Sequence, residues 1–264
     1  MKRAGFTLVE LLVVISILAV LMVLLFPVLR MARDSARTVA CSSQIKQLAF
    51  SLHLYDEVNG ALPRGLDTGI KDPPPGGFPG DLLGDFAGWW WFDFTGVVNR
   101  ASNPTADLLR CPARHISDPF LDSNILVGNY GVNRALCVGN GPLTHYTREF
   151  PDRLISIASI RRPVKTLLLV DSGYSLICWL HAAEEPLIKP DFHNENAAYV
   201  PGLEVNQTKG LDAARREDAV HGRHPGKKVN VGFVDGHIER VKARDLLVEK
   251  TEQDEWDHTP LWTP

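Results

Sequence analysis

The 264-residue sequence contains no CxxC pair, no Walker loop, no zinc-binding helix motif and no nucleophile signature. Its four cysteines, Cys41, Cys111, Cys137 and Cys178, are too far apart for a zinc ribbon or a thioredoxin-type site. A basic excess is missing as well: 28 Lys and Arg stand against 31 Asp and Glu, the net charge is -3, and the basic residues gather in no single run. That excludes the electrostatic footprint of a nucleic-acid binder, so nucleic acid is not an expected partner. Low-complexity tracts and internal repeats are also absent. What remains is 45% hydrophobic, enough to bury a core with the N-terminal run set aside, and reads as one anchored domain with room for a long insertion.

The anchor is the opening stretch, MKRAGFTLVELLVVISILAVLMVLLFPVLRMAR. From Leu11 to Phe26 the only polar residue is Ser16, and Val28 and Leu29 around Pro27 bring the run close to the ~20 residues that span a bilayer. No small-residue cleavage site follows it, so it is not a secretory signal peptide. One residue stands out. Glu10 lies near the start of the run, where moving a carboxylate toward a bilayer centre costs about 2.5–3.5 kcal/mol on insertion scales.

The small residue stands in front of the run instead, at Gly5. Lys2, Arg3, Ala4, Gly5 and then Phe6-Thr7-Leu8-Val9-Glu10 resemble the processing site of type IV prepilins and type II secretion pseudopilins. The resemblance implies cleavage between Gly5 and Phe6 and N-methylation of Phe6 by a prepilin peptidase. It also implies a role for Glu10: its carboxylate meets the cationic amine of Phe6, on a neighbouring subunit in an assembled filament, and the helix dipole favours an anion at the same end. Basic residues counted alone argue against an inside amino terminus, since Arg30, Arg33 and Arg37 follow the span while only Lys2 and Arg3 precede it. The processing motif outweighs that count, because its peptidase works from the cytoplasmic face.

The expected organisation is a leader over 1–5, a transmembrane segment over 6–29, the amphipathic half of the same helix over 30–60, and an extracytoplasmic head over 61–264. Ala32, Ala36, Val39, Ala40, Leu48, Leu52 and Tyr55 recur at helical spacing as the stripe that faces the head, and Asn59-Gly60 is the stop. One helix from Phe6 to Val58 would run about 80 Å at ~1.5 Å per residue, with a kink expected at Pro27. A Gly/Pro-rich loop fills 62–88, and Trp89, Trp90 and Trp91 follow it; consecutive rings cannot share one face, so at least one is expected to pack and another to be partly exposed. NILVGNYGVN, KTLLLVDSGYSLICWL and KKVNVGFVDGHIERVKA read as strands or hairpins. The fold class is therefore α+β and pilin-like, with the long helix packed on an antiparallel sheet.

ARTVACSSQIKQLAFSLHLYDEVNGALP resembles the helix end of a prepilin-like group common in Planctomycetes- and Verrucomicrobia-type bacteria. RHPGKKVNVGFVDGH resembles the His-x9-Asp-Gly motif of that group, although ten residues rather than nine separate His224 from Asp235. Asp235-Gly236 is the turn of a hairpin over 228–243. His224, Asp235 and His237, with His221 and Asp218, are the candidate cation ligands, for Ca²⁺ or Zn²⁺, although they follow no recognised ligand spacing; the main expectation is no cofactor. Four cysteines allow three pairings, which sequence does not choose among, and buried thiols are equally open. If they oxidise, Cys41–Cys111 is the expected bridge, with Cys137–Cys178 the remainder.

The resemblance implies a non-catalytic subunit of a type IV pilus-like or type II secretion filament. It would sit in the inner membrane as a single-pass protein with a cytoplasmic amino terminus and a periplasmic or extracellular head. Its partners would be the prepilin peptidase and methylase, other pilin-like subunits, the inner-membrane assembly machinery and lipid. The alternative is a membrane-tethered enzyme or binding module delivered by the same leader. Asp171, His181, His193, His221 and Asp235 could supply acid, base or ligands, but no motif connects them.

Overall fold

A computed structural model of the chain describes residues 7–67, 69–70, 88–97, 107–139, 153–185 and 198–264. Helix α1 runs unbroken over Leu8–Asn59 with Pro27 inside it. Thr7 caps its start, and at its end the Gly60 amide donates to Asp56 O at 2.7 Å. The helix has two halves with different surroundings. Every residue from 7 to 37 is exposed, whereas Thr38, Cys41, Ile45, Leu48, Ala49 and Leu52 are buried.

That buried stripe corrects the phase read from the sequence. Leu48 and Leu52 face the head as expected, but Ala32, Ala36, Val39 and Ala40 are exposed. Small apolar residues fit a 3.6-residue period without being core, while Thr38 and Cys41, which set the true face, look polar on a hydropathy count.

The rest of the fold is built from short elements: β1 (Leu66–Asp67), β2 (Trp89–Trp90), α2 (Trp91–Phe94), α3 (Pro119–Ser123), β3 (Tyr130–Asn133), β4 (Leu167–Asp171), β5 (Leu176–Ile177), α4 (Ala213–His221), β6 (Lys228–Phe233) and β7 (Ile238–Lys242). Strands β1 and β2 form a small antiparallel pair. The main sheet has the order β5-β3-β4-β6-β7 and is antiparallel except for the β3–β5 edge, which is parallel. The fold is therefore α+β, with one parallel pair where an all-antiparallel sheet was expected.

Both faces of this sheet are covered. Helix α1 lies over β4, β6 and β7 on one face. Gly232 makes that approach close: a Cβ there would stand 3.1 Å from Ile45 Cγ2. On β6, Val229, Val231 and Phe233 enter a second apolar cluster with Trp179, Val248 and Trp262, while Asn230 and Gly232 fall on the alternate positions. That explains why 229–234 alternates so poorly by hydropathy: the helix face of the strand carries an amide and a glycine. Trp90 and Trp91 are buried and Trp89 is half-buried, as the run of consecutive rings requires. Most of the Gly/Pro-rich stretch 62–88 lies outside the described residues.

Candidate functional site

Two places in the chain bring together the residue types singled out in the sequence. The first is the start of α1. Glu10 N donates to Thr7 Oγ1 at 3.3 Å, and Glu10 Oε2 accepts from Thr7 N at 2.9 Å and from Thr7 Oγ1 at 2.7 Å. This is a reciprocal capping box, in which one residue pair satisfies two backbone donors left open by helix geometry. Glu10 thus has an intrachain partner that sequence reasoning overlooked, although Thr7 stands at the required three-residue spacing. Gly5 and Phe6 lie outside the described residues.

The second place is the joint between α1 and the sheet. Cys41 on α1 and Cys111, just after a short 3-10 turn, have their Sγ atoms 2.8 Å apart. These two sulfurs and a ring nitrogen of His224 all lie within 4.8 Å of one another, and all three residues are buried. His224 Nδ1 is 3.0 Å from Thr38 Oγ1, one turn before Cys41. Its Nε2 is 3.1 Å from Asp171 Oδ2, at the end of β4, and both side chains are fully buried. Asp171 Oδ2 also accepts from the Asn230 amide at 2.7 Å. The four contributing segments are distant in sequence, and the packing of α1 over β4 and β6 is what assembles them.

Charge in this joint is strongly organised. Hydrogen bonding from Cys111 lowers the Cys41 thiol to about 6 against the opposing effect of burial, and His224 adds to the lowering. Burial pushes the Cys111 thiol well above the ordinary range, and its bond to Cys41 pushes the same way. Burial lowers His224, but its bonds to Asp171 and Cys41 outweigh that and hold it at about 9. Next door, Arg223 grips Asp218 through Nε at 2.8 and 2.9 Å and Nη2 at 2.8 Å, and donates to the carbonyls of Asn129 and Ser172 at 2.6 and 2.7 Å. Asp218 is completed by Tyr199 Oη at 2.8 Å and the His115 amide at 3.0 Å.

The candidate cation ligands do not gather. His224 belongs to the joint, Asp218 to Arg223, and His221 is exposed. Asp235 and His237 form their own exposed pair, with Nδ1 2.5 Å from Oδ1. Among the described residues, Cys41, Cys111 and His224 are the grouping compact enough to hold an ion. Cys137 lies in the cluster under α1, and Cys178 in the second cluster, its Sγ 3.2 Å from His181 Nδ1. No bond joins any two of the four sulfurs. His181 is buried and pushed down to about 3 by desolvation, so it stays neutral. His193 lies outside the described residues.

Thr38, Asn230 and Arg223 were missed from sequence. The available signals were the i,i+3 placement of Thr38 before Cys41 and the adjacency of Arg223 to His224.

Residues 1–26 match the prokaryotic N-terminal methylation motif. The chain is 35% identical over 75 residues to type II secretion system core protein G of Pseudomonas aeruginosa, a stretch covering 27% of this chain and 53% of that protein. It is 32% identical over 66 residues to competence protein ComGC of Halalkalibacterium halodurans, covering 25% of this chain and 65% of that one. The chain thus spans less than two thirds of the length of either relative. No solved structure matches it. α1 is long and apolar enough to cross a membrane. The prepilin-type motif therefore stands at the head of a helix that can be an anchor, and the likeness to the two named proteins is confined to about a quarter of the chain.

Proposed function

We propose that this protein is a non-catalytic, membrane-anchored pilin-like subunit of a type II secretion or competence-pilus type of assembly. The observation that carries the reading is the division of α1: an exposed apolar half that begins at the methylation motif, continuous with a half that forms one wall of the head. A helix with bare apolar sides over residues 8–29 needs lipid or other copies of itself around it. On this reading the prepilin peptidase cleaves after Gly5, Phe6 becomes the methylated amino terminus, and Glu10 pairs with that amine on a neighbouring subunit. A Cys41–Cys111 bridge ties the helix to the head.

The capping box dictates how the Glu10 pairing is tested, because Glu10→Ala removes both the side-chain half of the box and the charge. Glu10→Gln keeps a side chain that can close the box but carries no charge. Filament or pseudopilus yield in native cells should fall with Glu10→Gln nearly as far as with Glu10→Ala. A Glu10→Gln yield equal to that of the unaltered chain would assign Glu10 to capping alone. Intact mass and amino-terminal sequencing of membrane-derived protein test the processing step directly, and a chain still beginning at Met1 would defeat it.

A further inference from the structure

We infer that the joint of α1 with the head is a thiol–disulfide exchange site, in which His224 and Asp171 hold the reduced Cys41–Cys111 pair as a buried Cys41 thiolate facing an imidazolium. This rests on the proposed Cys41–Cys111 bridge and adds that the bridge is reducible, where an ordinary structural staple resists.

The hydrogen-bond directions carry the argument. Thr38 Oγ1 donates its proton to Asp34 O at 2.7 Å, so toward His224 Nδ1 it can only accept, and Nδ1 must carry a proton. On the other side, Nε2 faces Asp171 Oδ2, a carboxylate oxygen that also only accepts, so Nε2 is protonated too. Asn230 Nδ2 stands 2.9 Å from Nε2 and 3.3 Å from Asp171 Oδ2, while its Oδ1 has no partner; turning that amide over gives up the longer contact to Asp171 and puts the oxygen on the Nε2 proton. An imidazole protonated at both nitrogens is a cation, and the sulfurs are its neighbours.

The same bookkeeping argues against a metal. A zinc-bound histidine presents a bare nitrogen, and neither nitrogen here is bare. Two thiolates on one tetrahedral zinc, at ~2.3 Å each, stand about 3.8 Å apart. The observed separation is 2.8 Å. The opposite displacements of the two thiols, Cys41 downward and Cys111 upward, agree with a thiolate on Cys41.

The exchange is directional. Cys41 is 0% and Cys111 1% exposed, so exchange passes through a local opening of the joint between α1 and the head. An external monothiol of the glutathione class, as thiolate, then attacks Cys111 Sγ; the Cys41–Cys111 bond breaks and Cys41 leaves as the thiolate opposite His224, because the sulfur of lower pKa leaves faster. A second monothiol attacks the external sulfur of the mixed disulfide and expels Cys111, which takes up one proton. Two electrons enter the protein, and two external thiols become one external disulfide. Stabilising the reduced form makes the couple more oxidising, since the bridge then loses less when it opens.

The test uses the full chain in detergent, equilibrated across ratios of reduced to oxidised glutathione, quenched with acid and mapped by non-reducing mass spectrometry. The expected result is a Cys41–Cys111 linked peptide whose equilibrium with the dithiol shifts about tenfold toward the disulfide in His224→Gln, equivalent to ~30 mV for this two-electron couple. Thiolate absorbance of the reduced chain at neutral pH should disappear in Cys41→Ser. Should His224→Gln fail to fold, Thr38→Val removes the acceptor at Nδ1 and should shift the equilibrium the same way by a smaller factor. Absence of the linked peptide after oxidation would remove the bridge and this inference together. A linked peptide with the same equilibrium constant in the folded variants would leave the bridge standing and overturn the exchange site. Equal thiolate absorbance in the wild type and Cys41→Ser, or zinc retained at one per chain and lost in Cys41→Ser, would overturn it as well.

Discussion

Just ahead of β6, His224 meets Asp171 at 3.1 Å with both side chains fully buried, whereas beyond the strand's end His237 meets Asp235 at 2.5 Å with 39% and 29% of the side chains in contact with solvent. The residue types are the same and the exposed pair is the shorter, yet the buried pair has the larger consequences. In the interior both partners have lost their water, so each depends on the other and on Thr38, Asn230 and Cys41. At the turn, water screens the pair, and the Phe233 ring stacks 4.4 Å from the His237 imidazole. The distance between two groups says little about their energetic weight until burial is known.

The largest expected effect comes from breaking the buried end. Asp171→Ala would leave an imidazolium and the Asn230 amide without their acceptor in a dry joint. The loss expected for removing one partner of a buried pair is about 3–5 kcal/mol, read as a drop in the urea midpoint. A loss below ~1 kcal/mol would place the pair on a level with an exposed one.

How much of this was legible in the sequence follows from how local each feature is. The long helix with its stop at Asn59-Gly60 and the Asp235-Gly236 turn are written in consecutive residues, and both are found where the sequence puts them; the processing motif is equally local, but its Gly5 and Phe6 lie outside the described residues. The joint is not local: Cys41, Cys111, Asp171 and His224 come from four segments, and although all four stand out in the sequence, only the pairing of Cys41 with Cys111 was expected. The phase of α1 was misread because Ala36 and Ala40 imitate a core stripe that Thr38 and Cys41 really form. The second face of the sheet was also invisible, since the segment closing it, ending in Leu261-Trp262, has no period at all. Trp262 is anchored there by Nε1 to Leu246 O at 3.1 Å, and its carbonyl accepts from Asn133 Nδ2 at 2.8 Å.

The turn has a backbone demand of its own that is independent of the ion pair. Gly236 has φ of 89°, where a β-branched side chain is strained. Gly236→Val should cost about 1–3 kcal/mol, and Gly236→Asn distinctly less, because Asn tolerates positive φ. Equal midpoints for the two variants would show that the turn relaxes to another conformation.

A finer test separates the redox states of the joint by pH. His224 is held above its unfolded value, so it contributes stability that is complete below ~6.5 and is lost as pH rises through the raised value of about 9. Cys41 is depressed, so it contributes stability present above ~8.5 and lost as pH falls through about 6. In the reduced chain the two slopes offset one another between those limits. Oxidation removes the Cys41 contribution, together with the part of the His224 rise that Cys41 supplies, and leaves His224 raised by Asp171. Tyr130 and Arg223, which also face the joint, are both pushed upward and keep their protons throughout. The stability of the oxidised chain relative to the reduced one should therefore fall as pH rises from ~6.5 toward the raised His224 value, by at most ~1.4 kcal/mol per pH unit. A flat difference would mean that His224 is neutral in the oxidised joint.

The smallest effect should come from the exposed end. Asp235→Asn removes the charge opposite His237 but leaves a side-chain oxygen that can still accept from the His237 amide, now 3.2 Å from Asp235 Oδ1. Asn is also a good turn residue, so the backbone loses nothing. An exposed pair is worth about 0.2–1 kcal/mol, and salt screens it further. Asp235→Asn should therefore shift the urea midpoint by no more than that at low salt, and by less at high salt. If Asp235→Asn cost as much as Asp171→Ala, burial would not be what separates the two ends of β6, and some contact made only in an assembly of several chains would have to be sought at the turn.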